Sequence, residues 1–379
     1  MVKVFYWSPF ISKIATPKAV VYSAISIKKY SRGKIEPSII NLFNEWDNYI
    51  EDIKENNLSI YNLFKIKKYI KLPEKGFLQS RFSFFFIFIL SFFPLLNLLK
   101  KKKPDYLIIH LNTSLPLILL LLFKFETKFI LRISGKPRLN FFRKILWKCV
   151  SNKLYKITTP TKIIAEDLVK QEIFSHNKVE ILYDPVLYLK KIRINNRQKV
   201  NNSDKNKIVA IGRLTRQKNF KFLIECFSEI VKRYDNFTLH ILGDGDEKIS
   251  LQKLIKKNDL DKKVFLEGYK TEVSSYLINS YCFILSSLWE DPGFVIIESA
   301  INNTIILSSN CETGPKELLN NKVNSFIFEN NNKISFINSF DEMIKTDEKT
   351  KFKIKLSMKK NINKFTLFQH YKKLSKLIL

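Results

Sequence analysis

Hydrophobic and polar positions along the chain follow a repeating order of short apolar runs and helix-length segments. The early runs are KVFYW (3–7), DYLIIHL (105–111), KFILRIS (128–134) and YKITTPT (155–161). From residue 207 the order begins again, with KIVAIG, FTLHILG, KVFLEG, CFILSS and IILSS separated by amphipathic stretches. This alternation predicts parallel sheets with crossover helices. The predicted fold class is therefore α/β, with a Rossmann-like second half and a similar first half.

The length of 379 residues suits two domains, each with its own core. Residues 183–207 become polar and Asn-rich, which is typical of a linker. We predict an N-terminal Rossmann-like domain over 1–186 and a C-terminal one over 187–355. A C-terminal helix within 356–379 is expected to cross back to the first domain.

The net charge indicates the class of partner, and the cysteine content and N-terminus indicate the cellular compartment. The formal net charge is +30, with 65 Lys and Arg against 35 Asp and Glu, so anionic partners are attracted. No aromatic-interleaved basic repeat or zinc-knuckle spacing is present, so no nucleic-acid partner is predicted. The four cysteines form no CxxC pair, and MVKVFYWSPF lacks the apolar core of a signal peptide. We expect a cytoplasmic protein.

Residues 82–99 carry no charge and are flanked by Arg81 and by four lysines at 100–103. The length suits a membrane span. A crossing would place strands of one sheet on opposite sides of the bilayer, and Pro94 is expected to interrupt the helix. Two alternatives stay open: a core helix, and a helix lying in the membrane interface on the inner face of the cell membrane.

Two motifs in the second half point to a ligand. AIGRLTRQKNF ends a strand at Gly212 and continues with Arg213, Arg216 and Lys218. Cations at the carboxyl end of a parallel strand suit a diphosphate, although an exposed basic turn has the same pattern. ILGDGDEK adds Gly243 after the next strand, without a P-loop lysine.

The second motif is SSLWEDPGFVIIESA, in which Glu290 and Glu298 flank a turn. Glu290 follows the strand CFILSS, and Pro292 and Gly293 start a helix that carries Glu298. The helix N-terminus offers N–H donors for a phosphate, and two carboxylates can accept hydrogen bonds from hydroxyl groups. Together with the cationic loop, this pattern indicates a nucleotide-sugar site.

The order and spacing of these residues resemble glycosyltransferase family 4, whose members have the GT-B fold. The family pattern is a Gly-Arg-x4-Lys loop, here Gly212-Arg213 with Lys218, followed by E-x7-E, here Glu290 and Glu298. The resemblance covers the C-terminal half closely and the N-terminal half loosely. It implies two Rossmann-like domains whose parallel sheets face across a cleft.

The resemblance also implies roles. Arg213 and Lys218 would bind the donor diphosphate, Glu298 the ribose hydroxyls, and Glu290 the donor sugar. The donor-binding set is completed by Gly212, Gly243, Gly293 and Phe294. The implied reaction is retaining transfer of a hexosyl or N-acetylhexosaminyl group from a UDP- or GDP-sugar, without a metal or other cofactor. The acceptor would be lipid-linked or a glycan, since CETGPKELL is similar to a segment of family members that build bacterial surface glycans.

The candidate site residues in the first half belong to less characteristic patterns, and each has two interpretations. His110 ends the strand DYLIIH and is either catalytic, close to the reacting sugar, or a capping or core histidine. Arg132, Ser134 and Lys136, with Arg138, follow the next strand, and they form either a site for an acceptor phosphate or a surface basic turn. The glycine-rich loop that the family carries after the first strand is replaced here by SPFISKIATPKA.

Two other functional classes remain open. In a metal-dependent GT-A glycosyltransferase, Asp244 and Asp246 would be the metal ligands. In a non-catalytic module of the GT-B fold, the same residues would bind a nucleotide or glycan without turnover. Metal dependence distinguishes the first and turnover the second.

Overall fold

The computed structural model describes residues 1–11, 15–65, 72–73, 77–137, 139–189 and 206–379. The chain forms two compact units, which are Met1–Val186 with Phe365–Leu379, and Leu187–Lys364. Residues 190–205 of the predicted linker, and Arg138, lie outside the described residues.

The first unit is built on seven strands: β1 (Val2–Trp7), β2 (Ile35–Asn41), β3 (Ser59–Asn62), β4 (Tyr106–Ile109), β5 (Lys128–Arg132), β6 (Lys156–Thr159) and β7 (Val179–Ile181). Their spatial order is β3-β2-β1-β4-β5-β6-β7, and all neighbours are parallel. The chain therefore reverses its direction of travel across the sheet between β1 and β4. Such a reversal leaves a crevice at the carboxyl ends of those two strands.

Helices connect these strands: α1 (Ala15–Tyr30), α2 (Ile50–Glu55), α3 (Phe77–Lys102), α4 (Ser114–Leu122), α5 (Phe141–Val150) and α6 (Lys162–Lys170), with 3-10 turns at Asp47–Tyr49 and His176–Lys178. Asn140 and Thr161 cap α5 and α6, because their side-chain oxygens accept hydrogen bonds from backbone N–H groups in the first turn. Buried residues of α3, α4 and α5 belong to one hydrophobic core with β1, β4 and β5.

The second unit has six strands: β8 (Lys207–Ile211), β9 (Thr238–Leu242), β10 (Val264–Gly268), β11 (Cys282–Leu285), β12 (Ile305–Ser309) and β13 (Phe326–Phe328). The order is β10-β9-β8-β11-β12-β13, again with parallel neighbours. β8 lies between β9 and β11, so the reversal of this sheet falls between β8 and β11.

The helices of the second unit are α7 (Phe220–Arg233), α8 (Lys248–Lys257), α9 (Ser274–Ile278), α10 (Phe294–Ile301), α11 (Gly314–Leu318), α12 (Lys333–Lys345) and α13 (Glu348–Asn361), with 3-10 turns at Arg216–Lys218 and Ile362–Phe365. Phe220, Leu223, Phe227 and Ile230 recur every three to four residues and are buried, which explains how α7 packs on the sheet.

The last helix, α14 (Leu367–Ile378), belongs to the first unit and packs on α1. Its His370 is buried, with Nδ1 2.7 Å from the carbonyl oxygen of Tyr183 and Nε2 2.8 Å from Oγ of Ser23. Because a carbonyl only accepts, Nδ1 carries the proton and Nε2 accepts from Ser23. Burial lowers the pKa of His370 to about 3, so the ring is neutral.

The alternation predicted from the sequence is confirmed, and the fold class is α/β with two parallel sheets. The strands β2, β3, β7 and β13 were not anticipated. The expected interruption at Pro94 was wrong, because α3 continues through it to Lys102. Ile87 before the proline and Leu95 after it are both buried in the core, and this packing holds the helix together despite the missing backbone hydrogen bond.

Candidate functional site

The candidate site lies at the carboxyl edge of the second sheet. The loops after β8, β9, β11 and β12 all emerge at this edge, because the strands are parallel. The reversal between β8 and β11 is where open α/β sheets bind ligands. The predicted donor-site residues all belong to this unit: Gly212, Arg213, Lys218, Gly243, Glu290, Gly293, Phe294 and Glu298.

An ion pair joins the two loops at the reversal. Nζ of Lys218 contacts Oε1 of Glu290, and the two side chains are only 12% and 6% exposed. Oγ of Ser287 donates a hydrogen bond of 2.6 Å to the same carboxylate oxygen. Because buried charges are tolerated only when they are paired and hydrogen-bonded, this contact fixes Lys218 and Glu290 beside each other.

Backbone and side-chain hydrogen bonds hold the same two loops together. The N–H of Leu288 donates to the carbonyl of Gln217 at 2.8 Å, and Nε2 of Gln217 donates to the carbonyl of Trp289 at 2.9 Å. Oγ of Ser286 donates to the carbonyl of Lys218 at 2.8 Å. The position of the cationic loop therefore does not depend on the ion pair alone.

Two glycines allow the close approach of these elements. A Cβ on Gly243 would lie 1.8 Å from the carbonyl oxygen of Gly212, so only glycine fits where β9 ends beside β8. A Cβ on Gly212 would lie 2.7 Å from Cε of Lys218. The side-chain stem of Lys218 thus crosses the end of β8 over Gly212.

The N-terminus of α10 lies directly after Glu290. The peptide between Asp291 and Pro292 is cis, and Gly293 adopts a left-handed conformation (φ 82°) before the helix begins at Phe294. The first N–H groups of a helix have no partner within it and carry partial positive charge, so they suit an anion. This helix start and the Lys218 loop both lie at the reversal of the sheet.

The loop after β12 supports the turn that carries Glu290. Oγ1 of Thr313 donates to the carbonyl of Glu290, and the N–H of Gly314 donates to the same oxygen at 3.1 Å. These roles and that of Ser287 were not predicted from the sequence. Thr313 and Gly314 lie in CETGPKELL, and no local pattern pairs that segment with Glu290.

Arg213 and Glu298 are the other two charged residues of the predicted donor site. Arg213 is exposed, and its carbonyl accepts a hydrogen bond from the N–H of Thr215 at 2.8 Å, whereas its side chain makes no hydrogen bond or ion pair with the described residues. Glu298 is half-buried one turn into α10, and its carbonyl accepts from Nδ2 of Asn302 at 2.8 Å. Their contacts with diphosphate and ribose stay predictions.

The acidic pair proposed for a metal is exposed. Asp244 accepts a hydrogen bond from the N–H of Gly245, and Nζ of Lys248 is 3.7 Å from its carboxylate. Among the described residues, no cluster of three or more His, Cys, Asp or Glu could hold a metal ion.

At the opposite side of the site, burial raises the pKa of the Cys311 thiol to about 12, so this cysteine is not a thiolate nucleophile at neutral pH.

The other candidates belong to the first unit. His110 follows β4 and is buried, and neither ring nitrogen has a hydrogen-bond partner among the described residues. Burial, and then the charge of Arg132, hold the pKa of His110 well below its usual value. The ring is therefore neutral, and it lines a cavity of about 10 Å³ with Ser23 and Asp184, which is space for a single water molecule.

Arg132 does not lie in a surface basic turn, which was one of the two alternatives predicted for it. Its guanidinium is buried and donates hydrogen bonds of 2.6 Å to Oδ1 of Asp184 and to the carbonyl of Leu182. It therefore ties β5 to the chain beyond β7. Ser134 is half-buried and Lys136 is exposed, and their acceptor role stays a prediction.

Comparison with known proteins finds similarity to glycosyltransferases. Residues 192–364 match the family model of the group 1 glycosyl transferases. An uncharacterised glycosyltransferase of Methanocaldococcus jannaschii is 32% identical over 252 residues, which is 60% of this chain and 61% of that protein. A Campylobacter jejuni transferase is 28% identical over 213 residues, 55% of this chain and 57% of its own length. Its name is N-acetylgalactosamine-N,N'-diacetylbacillosaminyl-diphospho-undecaprenol 4-alpha-N-acetylgalactosaminyltransferase. The chain thus spans about three fifths of these relatives.

A solved structure covers the whole chain. TarM of Staphylococcus aureus, crystallised with UDP and alpha-GlcNAc-glycerol, superposes with a TM-score of 0.72 at 14% identity, over 100% of each chain. This likeness establishes the fold, and the predicted GT-B class is confirmed. The GT-A alternative was wrong as a fold, because the chain has two parallel-sheet units instead of one. Family 4 membership and retention stay predictions.

Proposed function

We propose that the chain is a glycosyltransferase that moves a sugar from a UDP- or GDP-sugar to a lipid-linked or glycan acceptor during synthesis of a surface glycan. The observation that carries the proposal is the buried pair of Lys218 and Glu290 at the reversal of the second sheet. It lies within the segment that matches the group 1 family.

The donor diphosphate would occupy the crevice between the loop after β8 and the start of α10. Its oxygens would take hydrogen bonds from Lys218 and Arg213, and from the N–H groups that follow Gly293. Negative charge grows on the diphosphate as the bond to the sugar breaks, so fixed positive groups lower the barrier more than they strengthen ground-state binding.

The carboxylates would select the donor by its hydroxyl groups. Glu290, held by Lys218 and Ser287, has a second oxygen available for a sugar hydroxyl, and Glu298 would accept from the ribose. We propose transfer of a hexosyl or N-acetylhexosaminyl group with retention, as in family 4. No metal or other cofactor is required in this scheme, because lysine and arginine supply the positive charge.

The acceptor assignment rests on relatives. The Campylobacter transferase carries a lipid diphosphate in its name, and the chain is 28% identical to it over 213 residues. We propose that the acceptor is of this kind and that transfer takes place at the inner face of the cell membrane. In the first unit, the neutral ring of His110 can accept or donate a hydrogen bond close to the carboxyl end of β4.

Turnover tests this proposal. The purified chain is incubated with a panel of UDP- and GDP-sugars, and release of nucleoside diphosphate is measured with lipid-linked and glycan acceptors. Lys218→Ala and Arg213→Ala should each lower turnover by about 10²-fold or more, the scale of losing one transition-state donor. Lys221→Ala, on the exposed face of α7, is the matched control and should keep the wild-type rate. Binding without turnover for every acceptor would favour a non-catalytic module.

A further inference from the structure

The helix α3 is apolar on its exposed face as well as on the face that packs in the core. Among its described side chains, four large apolar ones are more than half exposed: Phe82, Phe85, Ile89 and Phe93. On the opposite face, Ser83 and Ser91 are fully buried, and Oγ of Ser83 donates to the carbonyl of Pro73 at 2.7 Å. A helix that meets only water on its outer side carries mostly polar side chains there. The outer face of α3 is therefore built for an apolar surrounding.

A second helix of the same layer repeats this pattern. Phe141, Phe142 and Ile145 of α5 are exposed, whereas Trp147 and Val150 are buried in the core shared with α3. The intervening helix α4 packs against both α3 and α5. Since all three helices cover the same side of the first sheet, the outer faces of α3 and α5 emerge on the same side of this unit.

Cations predominate around these residues. Exposed Arg143, Lys144 and Lys148 lie on α5, Lys100–Lys102 end α3, and Lys103 after it is paired with Glu126 at 2.6 Å. The sequence contains no acidic residue between Glu74 and Asp105, or between Glu126 and Glu166. Apolar side chains flanked by cations are complementary to an anionic phospholipid surface, because each cation is attracted to the lipid phosphates.

The sheet topology determines how such a surface can meet a membrane. By length and composition α3 could cross a bilayer, and 39% of its most apolar window is buried inside the protein. However, β3 before it and β4 after it belong to the same sheet. Both ends of α3 must therefore stay on the same side of the bilayer, which leaves an orientation parallel to the membrane plane.

We propose that the exposed side chains of α3 and α5, called here the α3–α5 face, dock the protein on the interface of an anionic phospholipid bilayer. The apolar side chains enter the headgroup region, and the lysines and arginine contact the phosphates. The inference goes beyond the transfer reaction, because docking requires neither donor nor acceptor. The competing occupant of the same face is a second copy of this chain.

Vesicle flotation of the full chain tests the proposal. At low salt the wild type should float with phosphatidylglycerol-containing vesicles, bind pure phosphatidylcholine vesicles much more weakly, and be released as salt increases. Phe85→Ser with Ile89→Ser should lower the partition coefficient by about tenfold or more, and Phe141→Ser with Phe142→Ser should do the same. Lys144→Glu with Lys148→Glu should weaken binding to the anionic vesicles only.

The matched control is Phe352→Ser on α13, since Phe352 is 63% exposed and Phe85 is 61% exposed. It should leave flotation unchanged.

Wild-type flotation of the Phe141→Ser, Phe142→Ser variant would overturn the proposal that both helices contact the membrane. A dimer in sedimentation velocity that Phe85→Ser dissociates, without vesicle binding, would identify a second copy as the occupant. Resistance to alkaline extraction would show a span instead. Glu298→Ala should float normally, so failure of the donor site and failure of docking are distinguishable.

Discussion

Replacing Lys218 by methionine leaves the Glu290 carboxylate buried with only the Ser287 hydroxyl as a side-chain partner. Removal of one member of a buried ion pair costs about 3–5 kcal/mol, because the remaining charge is no longer compensated. The pair of Lys322 and Glu342 is the control. The distance from Nζ of Lys322 to Oε1 of Glu342 is 2.6 Å, but the two side chains are 62% and 41% exposed. Lys322→Met should therefore lower the free energy of unfolding by only about 0–1 kcal/mol. A whole domain is stable by about 5–15 kcal/mol, so the difference is large on that scale.

The assay is denaturant unfolding of the wild type and the variants, with the midpoint and slope of the transition compared at neutral pH. Adding Glu290→Gln to Lys218→Met removes the second charge, and most of the lost stability should return. The double variant should nevertheless be inactive, because both proposed donor contacts are gone. Equal, small losses for Lys218→Met and Lys322→Met would refute the reasoning, since they would mean that Glu290 is solvated.

Three further predictions concern the donor site and the first unit. Glu298→Ala should mainly raise the dissociation constant for the nucleoside diphosphate in calorimetry, and an unchanged constant would rule out the ribose contact. Turnover should persist in the presence of a chelator, because Lys218 and Arg213 supply the positive charge; loss of activity that Mn²⁺ restores would instead favour Asp244. Because burial lowers the pKa of His370 to about 3, below the unfolded value of about 6.5, the unfolded chain binds the extra proton and stability falls as pH drops below 6.5. His370→Gln can keep both hydrogen bonds, and it should reduce this loss of stability between pH 6.5 and 4 in unfolding experiments.

Local patterns made the second unit predictable. The runs from KIVAIG to IILSS are apolar, evenly spaced and bounded by polar turns, and each became a strand. The spacing of Gly212, Lys218, Glu290 and Glu298 predicted a candidate site, and these residues follow strands whose carboxyl ends lie at one edge of the sheet. In contrast, β13 has only three residues, too few for a period to be visible.

Features that depend on distant partners were not predictable. The sequence around Arg132 suggested either an acceptor-phosphate site or a basic surface turn, but its partner Asp184 lies far along the chain and no local pattern pairs them. Thr313, which supports Glu290, is also remote from it in sequence. For residues 82–99 the sequence was compatible with a core helix and with an interfacial helix. In the structure, one face of this helix is buried at Ile87 and the other is exposed at Phe85.

Titration calorimetry of UDP and GDP tests the central claim, that the crevice between Lys218 and α10 binds the donor nucleotide. One of the two nucleotides should bind saturably at one site per chain. Its affinity should fall by about tenfold or more in Lys218→Ala, the loss expected for one charge-assisted hydrogen bond, and stay unchanged in Lys221→Ala. The absence of binding by either nucleotide, or an identical affinity in Lys218→Ala and wild type, would contradict the account.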